Sequence, residues 1–174
     1  MASIAGFASD SQELSAVPRR LLVIYNPTAG GSRRRRLEAV LSCLADLGCP
    51  LDVRPTARPG DAAVMARQAD PAACDLIVAA GGDGTINEVI NGLVAAPDGA
   101  AVQPPPLALL PLGTANVLAA ELGLDLVPAN IARVIAEGPI RAVSLGRALG
   151  GDGGQRIFSL MAGAGFDARV VAGV

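Results

Sequence analysis

The sequence predicts an α/β domain built on an open, mostly parallel sheet with helices on both faces, and three observations predict it. The runs Leu21 to Tyr25, Leu76 to Ala80 and Leu107 to Leu110 have strand length and no polar alternation, as strands covered on both faces do. Segments with apolar residues at helical spacing separate them, and an order of strand, helix, strand, helix argues for parallel pairing through right-handed crossovers. The strand runs also stop at glycine-bearing turns, and 51% hydrophobic residues with 21 glycines in 174 positions describe a buried core with many tight turns. The organisation expected is a loose tail over 1–17, an α/β domain over 18–139 and the opening of a β-rich second domain over 140–174.

Arg19 and Arg20 lead into the first strand, which Pro27 stops. Asn26-Pro27-Thr28-Ala29-Gly30-Gly31 forms a turn, Ser32 is placed to cap the next helix, and Leu37, Val40, Leu41, Leu44 and Leu47 share one face of that helix before Gly48. Leu51 to Arg54 reads as a second strand and Pro55 to Gly60 as a loop containing Thr56. Asp61 is placed to cap a helix over Ala62 to Ala69, and Pro71 leads back to the Leu76 strand.

Leu76 to Ala80 runs into Gly81-Gly82-Asp83-Gly84-Thr85, after which Ile86, Val89, Ile90, Leu93 and Val94 recur at helical spacing. Three of those five turn residues lack side chains, so another group can approach the backbone, and the first N–H groups of the helix have no partner within it. Such a turn suits phosphate oxygens. A flexible turn is the competing reading of any glycine cluster. The fourth strand ends likewise, in Pro111-Leu112-Gly113-Thr114-Ala115-Asn116, ahead of a helix from Val117 to Leu122. In a parallel sheet these strand ends share one edge, and a crevice there with many backbone donors and small hydroxyls is what nucleotide phosphates require.

Pro128 opens a further helix that carries Ile131, Val134 and Ile135 and stops at Gly138. Ile140 to Leu145 and Arg156 to Ala162 read as strands around the turn Gly150 to Gly154. Their unpaired edges and apolar surface are expected to drive self-association, as in a homodimer.

Composition removes several functions. A net charge of −2 and 2% aromatic residues speak against nucleic-acid binding. All 14 basic residues are arginine and there is no histidine, which excludes a Walker-type lysine loop and a Ser-His-Asp triad. Cys43, Cys49 and Cys74 show no paired ligand spacing and read as buried thiols of a reducing, cytoplasmic setting. No apolar run reaches the roughly 18 residues of a membrane span, and residues 1–17 lack the pattern of a secretory signal. Arg33 to Arg36 fall in a first helical turn, where the dipole disfavours positive charge; they are either a solvated run or reach polyphosphate held by the preceding loop.

Tyr25-Asn26-Pro27-Thr28-Ala29-Gly30, Gly81-Gly82-Asp83-Gly84-Thr85-Ile86-Asn87-Glu88, Pro111-Leu112-Gly113-Thr114-Ala115-Asn116 and Gly163-Ala164-Gly165-Phe166-Asp167-Ala168 together resemble the diacylglycerol kinase catalytic domain family, over about residues 19–174. The resemblance implies a Rossmann-like fold of the NAD kinase and diacylglycerol kinase type. It also implies an ATP site at Asn26, Pro27, Thr28, Ala29, Gly30, Thr56, Gly81, Gly82, Asp83, Gly84, Thr85, Ile86, Asn87 and Thr114. Glu88, Gly113, Asn116 and Asp167 would support that site, and Asp83 would help to order Mg2+ and the phosphates. For Thr56, Asn116 and Asp167 a satisfied turn or cap residue is the competing reading.

The activity implied is transfer of the ATP γ-phosphate to a lipid hydroxyl, on a cytoplasmic protein in peripheral contact with the inner membrane face. The family's general base lies late in its second domain, so this sequence, ending at Val174, looks like the amino-terminal portion of a longer kinase and is expected to be inactive alone. The alternatives are an NAD kinase-like enzyme and a non-catalytic nucleotide-binding module.

Overall fold

A computed structural model of the chain describes residues 17–27, 31–95, 103–150 and 154–160. Most of the expected tail, Thr28 to Gly30 and Asp167 lie outside them. In chain order the elements are β1 (Leu21–Tyr25), α1 (Ser32–Asp46), β2 (Leu51–Pro55), α2 (Asp61–Arg67), β3 (Leu76–Gly81), α3 (Asp83–Val94), β4 (Leu107–Pro111), α4 (Val117–Glu121), α5 (Pro128–Glu137), β5 (Gly146–Leu149) and β6 (Gln155–Phe158).

Strands β1 to β4 form a parallel sheet in the order β2-β1-β3-β4, with Val23 paired to both Val53 and Val78, and Ala79 to Leu109. Successive residues of the central strands serve opposite faces. Leu21, Val23 and Val78 pack with Leu37, Val40 and Leu44 of α1 and Ile131 and Ile135 of α5. Leu22, Ile24, Ile77 and Ala79 pack with Ala62 and Ala66 of α2, Ile86, Val89 and Ile90 of α3 and Leu118 of α4. The α/β fold with helices on both faces is therefore as the apolar runs predict. Helices α2 and α3 touch through bare backbone: a Cβ on Gly92 would meet the Ala63 carbonyl oxygen at 2.2 Å.

The arginines ahead of β1 are ties. Arg19 donates to the carbonyls of Ile135 and Gly138 at 2.9 and 2.8 Å, closing the carboxyl end of α5 where a cation suits the helix dipole. Arg20 holds Asp75 through its own N–H at 2.8 Å and its guanidinium at 2.6 Å, so the starts of β1 and β3 are fixed together.

Several local expectations shift. Ser32 is the first residue of α1 and makes no capping bond; Gly31, at φ 54°, occupies the cap instead. Asp61 also lies inside its helix, and its carboxylate turns back to accept from the N–H groups of Ala57 and Arg58 at 2.9 and 3.0 Å. The bond from Ala57 is the main cause of that carboxyl's lowered pKa. Leu47 falls just outside α1 and is exposed. Ile140 to Leu145 is not a strand: pairing begins at Gly146, and β5 meets β6 antiparallel, Gly146 opposite Phe158. The run has apolar residues, but among the described residues no strand pairs with it to take its backbone groups, and composition alone does not reveal that.

Candidate functional site

The chain leaves β1 for α1 on one face of the sheet and leaves β3 for α3 on the other. Between β1 and β3 the connections part, which opens a crevice at the carboxyl ends of the strands. The crevice has a volume of about 640 Å³. Asn26 and Pro27 follow β1, Thr56 and Arg58 follow β2, Gly81, Gly82, Gly84 and Thr85 join β3 to α3, and Gly113 and Thr114 follow β4; all line it.

Backbone ladders carry the order of the sheet into these loops. Asn26 N–H donates to Ala80 O at 3.2 Å, Thr56 N–H to Tyr25 O at 2.9 Å and Leu112 N–H to Gly81 O at 2.8 Å. The Gly82 and Gly113 turns then meet backbone to backbone: a Cβ on Gly113 would lie 2.5 Å from the Gly82 Cα. Asn116 closes its own turn, its Oδ1 accepting from Gly113 N–H at 2.7 Å and its Nδ2 donating to Gly113 O at 2.9 Å. Its φ of 49° is one an asparagine tolerates.

Helix α3 begins at Asp83, earlier than the apolar spacing indicates, because Gly84 and Thr85 are already helical. Its first internal bond runs from Ile86 N–H to Gly82 O at 3.1 Å, so the amides of residues 83–85 have no acceptor inside the helix. Above Gly84 a Cβ would meet nothing within 4 Å, while one on Gly81 would strike the Thr85 side chain at 2.5 Å. An anion can thus reach the amino end of α3 beside Gly84.

The remaining expected residues divide between helix contacts, the core and the crevice wall. The Asp83 carboxylate accepts from the N–H groups of Val117 and Leu118 at 3.1 and 3.3 Å and so joins α3 to the start of α4. Ile86 is buried in the core, its amide used by the helix. Asn87 accepts from Asn91 Nδ2 through both its carbonyl and its Oδ1, at 2.8 and 3.2 Å, which is bracing work. Glu88 is on the crevice wall, as are Arg33 and Arg58. Arg58 was not among the expected site residues; the available signal is a basic residue in a loop that ends on the same sheet edge.

The described residues hold no group of three His, Cys, Asp or Glu side chains able to take a metal. Cys43, Cys49 and Cys74 are free thiols, and burial pushes the last two up from the ordinary pKa.

A parallel sheet whose strand-end loops converge on an open helix terminus defines the class: an open α/β domain with a crevice at its topological switch point. The family model described as "Diacylglycerol kinase catalytic domain" matches residues 20–148, and the chain belongs to that family. It is 37% identical over 136 residues to the diacylglycerol kinase of Bacillus subtilis (strain 168), a match covering 76% of this chain and 43% of that one. It is 39% identical over 153 residues to the Serratia proteamaculans (strain 568) protein named "Probable lipid kinase YegS-like", covering 88% and 47%. A crystal structure of a diacylglycerol kinase from Bacillus anthracis str. Sterne superposes with a TM-score of 0.61 at 30% identity, over 74% of this chain and 45% of that one. The chain spans less than half the length of these relatives.

Proposed function

We propose that the crevice binds MgATP and that this chain is the nucleotide-binding part of a lipid kinase, which passes the γ-phosphate to a lipid hydroxyl such as that of a diacylglycerol or sphingoid base. The observation that carries the reading is the convergence of the loops after β1, β2, β3 and β4 around one crevice beside the amides of residues 83–85, which have no acceptor inside their helix. Family membership favours a lipid kinase over the NAD kinase alternative.

The residues present suit that ligand. Phosphoryl transfer asks for positioning and charge neutralisation more than covalent chemistry, and preorganised amides supply both without rearrangement. The Gly82 and Gly84 backbone binds phosphate oxygens, Thr56, Thr85 and Thr114 offer hydroxyls, and Asn26 and Pro27 close the side next to β1. When bound with the nucleotide, magnesium supplies charge neutralisation at the transferring phosphate. One or two carboxylates with phosphate oxygens are its usual protein-side ligands, and Glu88 and Asp83 are the side chains here that would hold it. Asp83 retains lone pairs beyond the two that accept from α4.

Among the described residues no helix is long and apolar enough to cross a membrane. The lipid is proposed to be met at the inner membrane face by peripheral contact of a cytoplasmic protein. The general base for its hydroxyl is proposed to lie in the part of the relatives that this chain does not cover, with residues 140–174 as the start of that second, β-rich domain. Calorimetric titration of the chain with MgATP tests the nucleotide step, with saturable one-site binding expected and no heat of binding contradicting it. Transfer of label from γ-labelled ATP to vesicle diacylglycerol by a protein that joins this chain to such a region tests the lipid step.

A further inference from the structure

A side chain bridges the crevice. Arg33, in the first turn of α1, donates from Nη2 to Thr114 Oγ1 at 2.7 Å, so an element from one face of the sheet reaches the loop that follows β4. The other described contacts of the basic run differ: Arg34 pairs with Glu38 at 2.9 Å, and Arg36 donates to Pro111 O at 3.4 Å. Among the described residues Arg33 forms no ion pair, although Glu88 lines the same crevice. Its guanidinium is thus a full charge on a neutral hydroxyl, in a helical turn with no acidic residue and an unfavourable dipole. A phosphate oxygen carries the opposite charge, which the Thr114 hydroxyl does not, and a guanidinium can make two parallel bonds to a phosphate.

We propose that Arg33 is a clasp: it leaves Thr114 for the outer phosphates of an entering nucleotide, which opens the bridge and recloses it on the anion. The inference rests on the nucleotide reading of the crevice and adds a selectivity to it. A nucleoside monophosphate leaves the clasp unengaged, so Arg33 distinguishes long phosphate chains from short ones.

Calorimetric titration of the full chain with MgATP and with AMP tests this on the wild type and on Arg33→Ala, Arg33→Lys and Arg34→Ala. Arg33→Ala is expected to weaken ATP binding about tenfold or more and to leave AMP affinity and the melting temperature unchanged. Arg33→Lys should recover part of the loss, because it keeps the charge and not the fork. Arg34→Ala should bind as the wild type does. Equal losses for ATP and AMP would make Arg33 a strut of the crevice and overturn the clasp. Unchanged ATP affinity in Arg33→Ala would overturn it while leaving the nucleotide site standing. A wild-type chain that binds no ATP would remove the nucleotide reading and the clasp with it.

Discussion

Gly84 and Gly113 stand at the same crevice for opposite reasons. A methyl group on Gly113 meets the Gly82 backbone at 2.5 Å, so Gly113→Ala must push two turns apart and is expected to cost about 1–3 kcal/mol and lower the melting temperature. A methyl on Gly84 meets only open space, and alanine is the better helix former by about 0.8–1.0 kcal/mol. Gly84→Ala should therefore keep or raise the melting temperature while weakening MgATP binding by calorimetry; a variant that binds as tightly as the wild type would place the phosphates elsewhere. Asp83 joins both roles. Asp83→Ala removes the acceptor of two α4 amides, worth about 0.5–2 kcal/mol by analogy with caps, and is expected to lower both MgATP affinity and the melting temperature without unfolding the chain. Undiminished affinity would contradict its assignment to the site.

At the scale of elements, α3 links the crevice to the hairpin of β5 and β6. Asn91 imitates a strand neighbour: its Nδ2 donates to Ile157 O at 2.9 Å and its Oδ1 accepts from Ile157 N–H at 3.0 Å. Asn91→Leu should leave the four-stranded sheet intact but raise hydrogen exchange at Ile157, and unchanged protection there would show that packing alone docks the hairpin.

The tie between the starts of β1 and β3 has a pH signature. The Arg20 guanidinium and N–H bring the Asp75 pKa from 3.8 down to about 2. A lowered carboxyl pKa gives stability that is complete above 3.8 and lost as pH falls toward about 2, so the melting-temperature gap between wild type and Asp75→Asn should close across that window. The side chains are 42% and 39% exposed, which limits the gap to a few degrees.

These elements also mark what the sequence made legible. Strands β1, β3 and β4 announce themselves because burial on both faces leaves an unbroken apolar run. The Gly-Gly-Asp-Gly-Thr junction is legible because a strand stops and helical spacing starts around it, although its last three residues are already helical. The caps were not: Ser32 and Asp61 are good capping residues in isolation, but glycines at positive φ take the cap positions ahead of them. Nor was the Arg33 bridge or the Asp83 link to α4, since each joins residues more than thirty positions apart.

For the whole molecule, a buried four-stranded sheet carries an edge assembled out of four loops, where the nucleotide is proposed to bind. Away from that edge, Ile140, Val143 and Leu149 are 62, 60 and 75% exposed, the kind of apolar surface from which self-association is expected. Sedimentation should show association that rises with concentration and is weakened by Leu149→Glu; a monomer throughout would contradict it. A second groove of about 290 Å³, between Arg20, Asp52, Asp70 and Cys74, touches the opposite ends of the strands and serves as an internal control for ligand placement.

The claim on which the rest depends is that the carboxyl-end crevice takes the nucleotide's phosphates, and amide chemical-shift mapping of the labelled chain with MgATP tests it most directly. Saturable shifts centred on Gly82, Gly84, Thr85, Thr56 and Gly113 are expected, with the Arg20 to Cys74 groove silent. Shifts centred on that groove, or none at millimolar nucleotide, would contradict the account.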